Sequence, residues 1–125
     1  MRAKVVDASI LAAWCFREPK ATEALAILCD SELHAPPLLA YELTNIARRK
    51  ALTYPDKATL VMEALRTALV LPVYWDEVDH VVVMQLALDT GLTTYDASYL
   101  YVARTIGAEL VTFDEQLAKV SRKVR

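Results

Sequence analysis

The hydrophobic positions of the chain form short β-branched runs separated by longer stretches in which apolar residues recur at helical spacing. Runs typical of strands occupy residues 4–6, 32–35, 69–75 and 109–113. Pro72 lies within the third run and cannot donate a ladder hydrogen bond, which predicts an edge position for that strand. Because strands that alternate with helices are joined by right-handed crossovers, the pattern predicts a mainly parallel sheet covered by helices.

Helical spacing of apolar residues predicts helices over residues 9–16, 21–29, 76–90 and 115–120, and others that start near residues 38 and 55 and after residue 96. In the helix near residue 38, one face is apolar and another carries Glu42, Asn45 and Arg49. The apolar residues expected to face the core are Leu25 and Leu28 in the second helix, Leu39, Leu43, Ile46 and Ala47 in the third, and Ala58, Val61, Met62 and Leu65 in the fourth.

Two glycines, Gly91 and Gly107, are predicted to end the last long helices. Between them, the stretch GLTTYDASYLYVA places Asp96 at the start of an almost wholly apolar helix, in which Tyr99 is expected to lie in the core. In the helix before Gly91, apolar residues cover more than one face, so part of its surface is expected to pack on a second subunit of a homodimer. These residues are Val81, Val82, Val83, Met84, Leu86 and Leu88.

Length and composition indicate one globular domain over residues 1–125. Hydrophobic residues make up 55% of the 125 positions and charged residues 24%, which excludes a disordered tail or a solvated linker. Together with the element pattern, this predicts a three-layer α/β/α sandwich around a sheet of four to five strands. The net charge of -2 provides no global basic field, so binding of nucleic acid would require local basic patches or metal ions facing the phosphates.

Cysteine usage and the absence of long apolar runs bear on location. Cys15 and Cys29 show no C-x-x-C spacing, which favours free thiols in a reducing cytoplasm over a disulfide. Asp7 interrupts the N-terminal apolar run, and no apolar run approaches membrane-spanning length. We therefore expect a cytoplasmic protein without a membrane partner.

Four acids are the candidate functional residues. Asp7 and Asp114 each follow a predicted strand, Asp96 opens a helix, and Glu42 lies on the helix after the second strand. Taken singly, each aspartate could cap a helix and Glu42 could lie in solvent. Because ligands bind beyond the carboxyl ends of parallel strands, the four could instead converge on one rim. Carboxylates so placed would repel one another unless a cation lay among them, and oxygen-only ligands suit Mg²⁺ or Mn²⁺.

In these motifs the chain resembles the PIN-domain ribonucleases, and among them the small VapC-type toxins of toxin–antitoxin pairs. VVDASIL matches the first acidic motif of that family, YELTNIARR its helix-borne glutamate, LTTYDASYLYVA its second aspartate motif and LVTFDEQL its third. The resemblance implies a PIN-like fold over nearly the whole chain. It also implies a Mg²⁺-dependent ribonuclease that leaves a 5′-phosphate and a 3′-hydroxyl, and that a small antitoxin protein silences.

The resemblance also implies roles for individual residues. Asp7, Glu42, Asp96 and Asp114 would form the catalytic site, with Asp7 and Asp96 as direct metal ligands. Asp114 would bind through water or share a second ion, and Glu42 would orient the attacking water. Ser9 and Thr112 would supply hydroxyls at the edge of the site.

Further polar residues have alternative interpretations. Asn45 is placed either to steady Glu42 or to face solvent. Arg48, Arg49 and Lys50 are the best local contacts for RNA phosphates, although basic residues near a helix end also complement its dipole. The main functional alternative to an RNA-cleaving enzyme is a non-catalytic binding module that keeps the fold and acts through protein contacts. That module would bind its partner without metal.

Overall fold

Four parallel strands form the central sheet in the computed structural model, which describes residues 1–123 of the chain. They are β1 (Arg2–Val6), β2 (Ser31–Ala35), β3 (Val73–Trp75) and β4 (Glu109–Val111), and they pair in the order β3-β2-β1-β4. Helices pack around this sheet, so the predicted three-layer α/β/α sandwich is confirmed with four strands. The edge position of β3 agrees with the prediction made from Pro72.

The connecting helices follow the predicted order. They are α1 (Ala8–Cys15), α2 (Ala21–Cys29), α3 (Leu38–Thr53), α4 (Ala58–Leu69), α5 (His80–Thr90), α6 (Thr94–Ile106) and α7 (Glu115–Lys123), with a 3₁₀ turn at Pro55–Lys57. Gly91 and Gly107 end α5 and α6 with φ values of 77° and 69°, a left-handed conformation that glycine adopts without steric cost. Within residues 1–123, none of these helices combines the length and the apolar character needed to span a bilayer.

The core has two parts. Val6 and Leu33 pack with Ile10 and Ala13 of α1 and with Ala24 of α2. The larger part joins Val5, Ala35 and Leu110 of the sheet to residues of six helices. It contains Ala8, Leu11 and Ala12 of α1, Leu39 and Leu43 of α3, Ala68 of α4, Val83, Leu86 and Ala87 of α5, Ala97, Tyr99, Leu100, Val102 and Ala103 of α6, and Leu117 of α7.

Several local predictions are wrong. Leu25 is 44% exposed, and the shorter side chain of Ala24 is the buried one on α2. Met62 is 59% exposed. The buried residue of α4 is Ala68, which lies on a different face of the helix. α4 also continues through Leu69, which shortens the predicted third strand to Val73–Trp75.

The start of α5 also differs from the prediction. Asp79 is its N-cap and accepts hydrogen bonds from the backbone N–H groups of Val81 and Val82, so the helix begins at His80. Asp76 instead accepts a hydrogen bond from His34 Nδ1 at 2.7 Å. Its backbone N–H donates to the carbonyl of Ala35 at 2.9 Å, so Asp76 ties the edge strand to β2.

The strand order selects one place on the sheet for ligand binding. β1 lies between β2 and β4, so the chain leaves β1 towards one side of the sheet and later returns on the other side. Ligands of parallel α/β sheets bind outside the carboxyl ends of the strands at such a reversal. Asp7 directly follows β1, and Asp114 lies three residues beyond the end of β4.

Candidate active site

Asp7 is held at the end of β1 by the start of α1. It is the N-cap of that helix, and its Oδ1 accepts hydrogen bonds from the backbone N–H of Ser9 at 3.1 Å and from the Ser9 hydroxyl at 2.6 Å. Only 7% of its surface is exposed. Asp7 therefore caps a helix, as one interpretation of the sequence predicted, and it does so at the carboxyl end of β1.

Two hydroxyls join Asp7 to the segment after β4. Thr112 Oγ1 donates to Asp7 Oδ2 and accepts the backbone N–H of Asp114 at 3.0 Å. Ser9 Oγ, which donates to Asp7, accepts the backbone N–H of Phe113 at 3.0 Å. Each hydroxyl thus donates to one strand end and accepts from the other, so the two carboxyl ends are fastened together.

Asp114 caps α7. Its Oδ1 accepts the backbone N–H of Leu117 at 2.9 Å, and its carbonyl accepts the backbone N–H of Ala118 at 3.0 Å. The side chain is exposed. Capping and a place at the rim are therefore combined in this residue.

Asp96 lies in the first turn of α6 and does not cap it. Thr93 is the N-cap, and its hydroxyl oxygen accepts the backbone N–H of Asp96 at 3.1 Å. Thr-x-x-Asp has the spacing of a capping box, in which the acid would accept the backbone N–H of the capping residue. No donor within residues 1–123 reaches the Asp96 carboxylate, so the fold makes no use of this acid as a hydrogen-bond acceptor.

Glu42 reaches the rim from α3 and is held by a tyrosine of α6. The Tyr99 hydroxyl donates to Glu42 Oε1 at 2.5 Å, and Tyr99 itself is only 1% exposed. Sequence reasoning placed Tyr99 in the core and missed this contact. The signal was present, since a buried tyrosine needs a partner for its hydroxyl, but the partner lies 57 residues earlier in the chain.

Electrostatics shows that these carboxylates lie close to one another. Burial raises the pKa of Asp7, against hydrogen bonds from Ser9 and Thr112 that lower it. Burial also raises the pKa of Glu42, and the charges of Asp7 and Asp96 act in the same direction. The hydrogen bond from Tyr99 lowers this pKa. The pKa of Asp96 is raised by burial and by the charges of Asp114 and Asp7. The ionisation of Glu42 and of Asp96 is therefore opposed by charges that lie on other elements of the fold.

This donor set fits a hard divalent cation. None of the ion pairs in the described part of the chain involves the four acids, so no lysine or arginine neutralises them. A cation such as Mg²⁺ would remove the repulsion that helps to raise the pKa values of Glu42 and Asp96, and carboxylate oxygens are its preferred protein ligands. Within residues 1–123, no three His, Cys, Asp or Glu side chains are already arranged to hold a metal ion, so binding would require the carboxylates to draw together.

The remaining predicted residues lie on α3 at different distances from this rim. Asn45 is exposed and makes no hydrogen bond to Glu42, whose partner is Tyr99. Arg49 is exposed and lies two helical turns from Glu42 on the same face, whereas Arg48 points to another face. Lys50 forms an ion pair with Glu18 at 2.7 Å, so its charge already has a partner within the fold.

Comparisons with known proteins agree with this architecture. The family model for the PIN domain matches residues 4–123. Ribonuclease VapC3 of Pyrobaculum aerophilum is 37% identical over 122 residues, which cover 92% of each chain. Exonuclease VapC9 of the same organism is 54% identical over 35 residues, which cover 28% of this chain and 26% of that protein.

A solved structure extends the likeness to three dimensions. The crystal structure of PAE2754 from Pyrobaculum aerophilum superposes with a TM-score of 0.79 at 28% identity, covering 95% of this chain and 84% of that one. The family model spans nearly all of the described chain and includes all four acids of the rim. On this evidence the chain belongs to the PIN-domain family and resembles its VapC-type members.

Proposed function

We propose that the protein is a Mg²⁺-dependent ribonuclease that hydrolyses RNA phosphodiester bonds, with Mn²⁺ as the alternative ion. The observation that carries this proposal is the meeting of acids from different elements at one rim, where the charges of Asp7 and Asp96 help to raise the pKa of Glu42 and those of Asp114 and Asp7 help to raise the pKa of Asp96. Similarity to a relative named ribonuclease VapC3 supports the same reaction class.

The four acids would have different roles around the metal ion. Asp7 and Asp96 would hold the ion directly, Asp114 would bind it through water or share a second ion, and Glu42 would orient the attacking water. Bound Mg²⁺ would supply two things, a lowered pKa for water and neutralisation of charge on the phosphodiester. Ser9 and Thr112 would keep Asp7 oriented through their hydrogen bonds. Cleavage would leave a 5′-phosphate and a 3′-hydroxyl.

The biological role that we propose is the toxin of a type II toxin–antitoxin pair, acting in the cytoplasm and silenced by a small antitoxin protein. Its support is the likeness to VapC-type proteins. An open reading frame for a short protein immediately upstream of the gene is the expected genetic arrangement, and its absence would count against this role.

We also propose a homodimer that packs through α5. Val81, Met84 and Leu88 follow helical spacing on one face of this helix and are 78%, 58% and 68% exposed. Burial of such a stripe is favourable at roughly 25 cal/mol per Å² of apolar surface. Sedimentation should give twice the mass of the chain at micromolar concentration, and Met84→Glu should shift the protein to monomer. A monomeric wild type would contradict the dimer.

The decisive experiment on the activity measures cleavage of RNA by purified wild type, Asp96→Asn and Asp56→Asn. Asp56 is an exposed aspartate in the 3₁₀ turn after α3 and serves as the matched control. Wild type and the control should cleave RNA with Mg²⁺ and stop with EDTA, and Asp96→Asn should lose at least about 10³-fold in rate because several kcal/mol of charge stabilisation are lost.

Equal cleavage by wild type and Asp96→Asn would indicate a contaminating nuclease and reject the proposal. A protein that binds a partner without metal, and does so equally well in Asp7→Asn and Asp96→Asn, would instead be the non-catalytic binding module.

A further inference from the structure

A side-chain hydrogen bond from Tyr99 of α6 fixes Glu42, the rim acid on α3. The Tyr99 hydroxyl donates to Glu42 Oε1 at 2.5 Å, across the contact between α6 and α3. The ring is 1% exposed and belongs to the main core with Leu39 and Leu43 of α3. The position of the hydroxyl is therefore set by packing of the whole ring, and Glu42 is oriented by a rigid partner.

The same helix carries both Asp96 and Tyr99. They are three residues apart in α6, so they lie on one face of the helix one turn apart. A displacement of α6 would move the Asp96 carboxylate and the donor to Glu42 together. Burial raises the pKa of the Tyr99 phenol above its ordinary value. The phenol therefore stays protonated at physiological pH and remains a hydrogen-bond donor to the carboxylate.

We infer that Tyr99 is a positioning residue for Glu42, which presents Oε2 to the substrate side of the rim while Tyr99 holds Oε1. This inference rests on the proposed ribonuclease function, in which Glu42 orients the attacking water. A tyrosine hydroxyl bound to Oε1 fixes the orientation of the carboxylate, so the direction in which Oε2 accepts a proton or a hydrogen bond is defined. A water-orienting group requires such a direction.

The test compares Tyr99→Phe with Tyr101→Phe in Mg²⁺-dependent RNA cleavage. Tyr101 is two residues further along α6, is partly buried, and makes no side-chain hydrogen bond within residues 1–123, so it controls for loss of a phenol from this helix. Tyr99→Phe should lower kcat by about tenfold to 100-fold, the range expected for a lost hydrogen bond to a charged group, and leave KM within about twofold. Tyr101→Phe should change neither constant.

A double-mutant cycle separates positioning from a general packing effect. In a Glu42→Gln background, Tyr99→Phe should have little further effect on kcat, because its target group is already lost. If Glu42→Gln and Tyr99→Phe lowered kcat by independent factors that multiply in the double variant, the inference would be overturned. A normal kcat in Tyr99→Phe alone would overturn it as well.

The two proposals can fail separately. If wild type cleaves RNA and Tyr99→Phe cleaves it equally well, only the positioning role is rejected. If wild type shows no metal-dependent cleavage, the proposed function is rejected and the positioning role with it. Binding of Mn²⁺, followed by calorimetry, should be unchanged in Tyr99→Phe because Asp7 and Asp96 remain; a large loss of affinity would show that Tyr99 acts on the metal ligands instead.

Discussion

The rim has two sides that use their carboxylates differently. On the strand side, formed by Asp7, Ser9, Thr112 and Asp114, both acids cap helices and receive hydrogen bonds that the fold needs. On the helix side, formed by Glu42, Asp96 and Tyr99, a single hydrogen bond reaches Glu42 and none within residues 1–123 reaches Asp96. The hydrogen bonds of the fold hold both strand-side acids, although burial still raises the pKa of Asp7. The helix-side acids meet burial and repulsion from other carboxylates with one hydrogen bond between them, so they have the stronger need of a functional explanation.

The largest expected effect on stability is on the strand side. Thr112→Val would leave Asp7 Oδ2 and the backbone N–H of Asp114 without their partner. Loss of both hydrogen bonds near a buried carboxylate should destabilise the fold by about 2–3 kcal/mol. Urea unfolding would measure this loss, with Thr105→Val on the exposed face of α6 as control, expected to cost under about 0.5 kcal/mol. If Thr112→Val and Thr105→Val lowered the free energy of unfolding equally, the strand side would depend on its hydrogen bonds no more than an exposed helix face does.

Alanine substitutions at exposed Asp114 and at half-exposed Asp96 should show directly how the two sides of the rim differ in their effect on stability. Asp114→Ala removes an N-cap and should cost about 1 kcal/mol. Asp96→Ala removes a charge that burial and two neighbouring carboxylates oppose, so we expect no loss of stability. Thermal unfolding should therefore show a lower Tm by about 3–6 °C for Asp114→Ala alone. A comparable drop in Asp96→Ala would mean that the fold does depend on that acid.

Acids with raised pKa values should contribute to the pH dependence of stability below neutrality. For Asp96 the folded-state pKa lies above the unfolded one, so the folded state binds the proton more tightly. Its contribution to stability is fully present below the unfolded pKa and is lost as pH rises through the folded pKa.

Asp96→Asn should therefore flatten the fall in stability that wild type shows as pH rises from about 4 towards neutrality. Added Mg²⁺ should raise the Tm of wild type at neutral pH, and raise that of Asp96→Asn less, because ligand binding to the folded state stabilises it. A wild-type profile as flat as that of the variant would contradict the assignment.

The smallest effects are expected at the arginines of α3. Arg49 lies on the Glu42 face, so Arg49→Gln should raise KM for RNA a few-fold and reduce the salt dependence of binding by about one unit of slope. Arg48→Gln, on another face, is the matched control and should leave both unchanged. Equal effects of the two changes would indicate general charge attraction without a contact specific to the helix side.

Features that depend on neighbouring residues could be predicted from the sequence, whereas contacts between residues distant in the chain could not. Asp7 follows a β-branched run, and Gly91 and Gly107 end helices through backbone conformation, so neighbouring residues sufficed. The cap of α6 was misplaced because Thr93 and Asp96 are both good capping residues and sequence does not rank them. The Tyr99–Glu42 contact could not be predicted, since it depends on how two helices cross.

The hydrogen bond between Asp7 and Thr112 joins residues 105 positions apart, which has a consequence for synthesis on the ribosome. The chain is made from its N-terminus, so β1 and Asp7 emerge before the segment that follows β4, and Thr112 is added 105 residues after Asp7. Until then the Asp7 carboxylate lacks one of its two hydroxyl donors. A nascent chain therefore carries an incomplete rim until Thr112 has been added and the sheet has closed around β1.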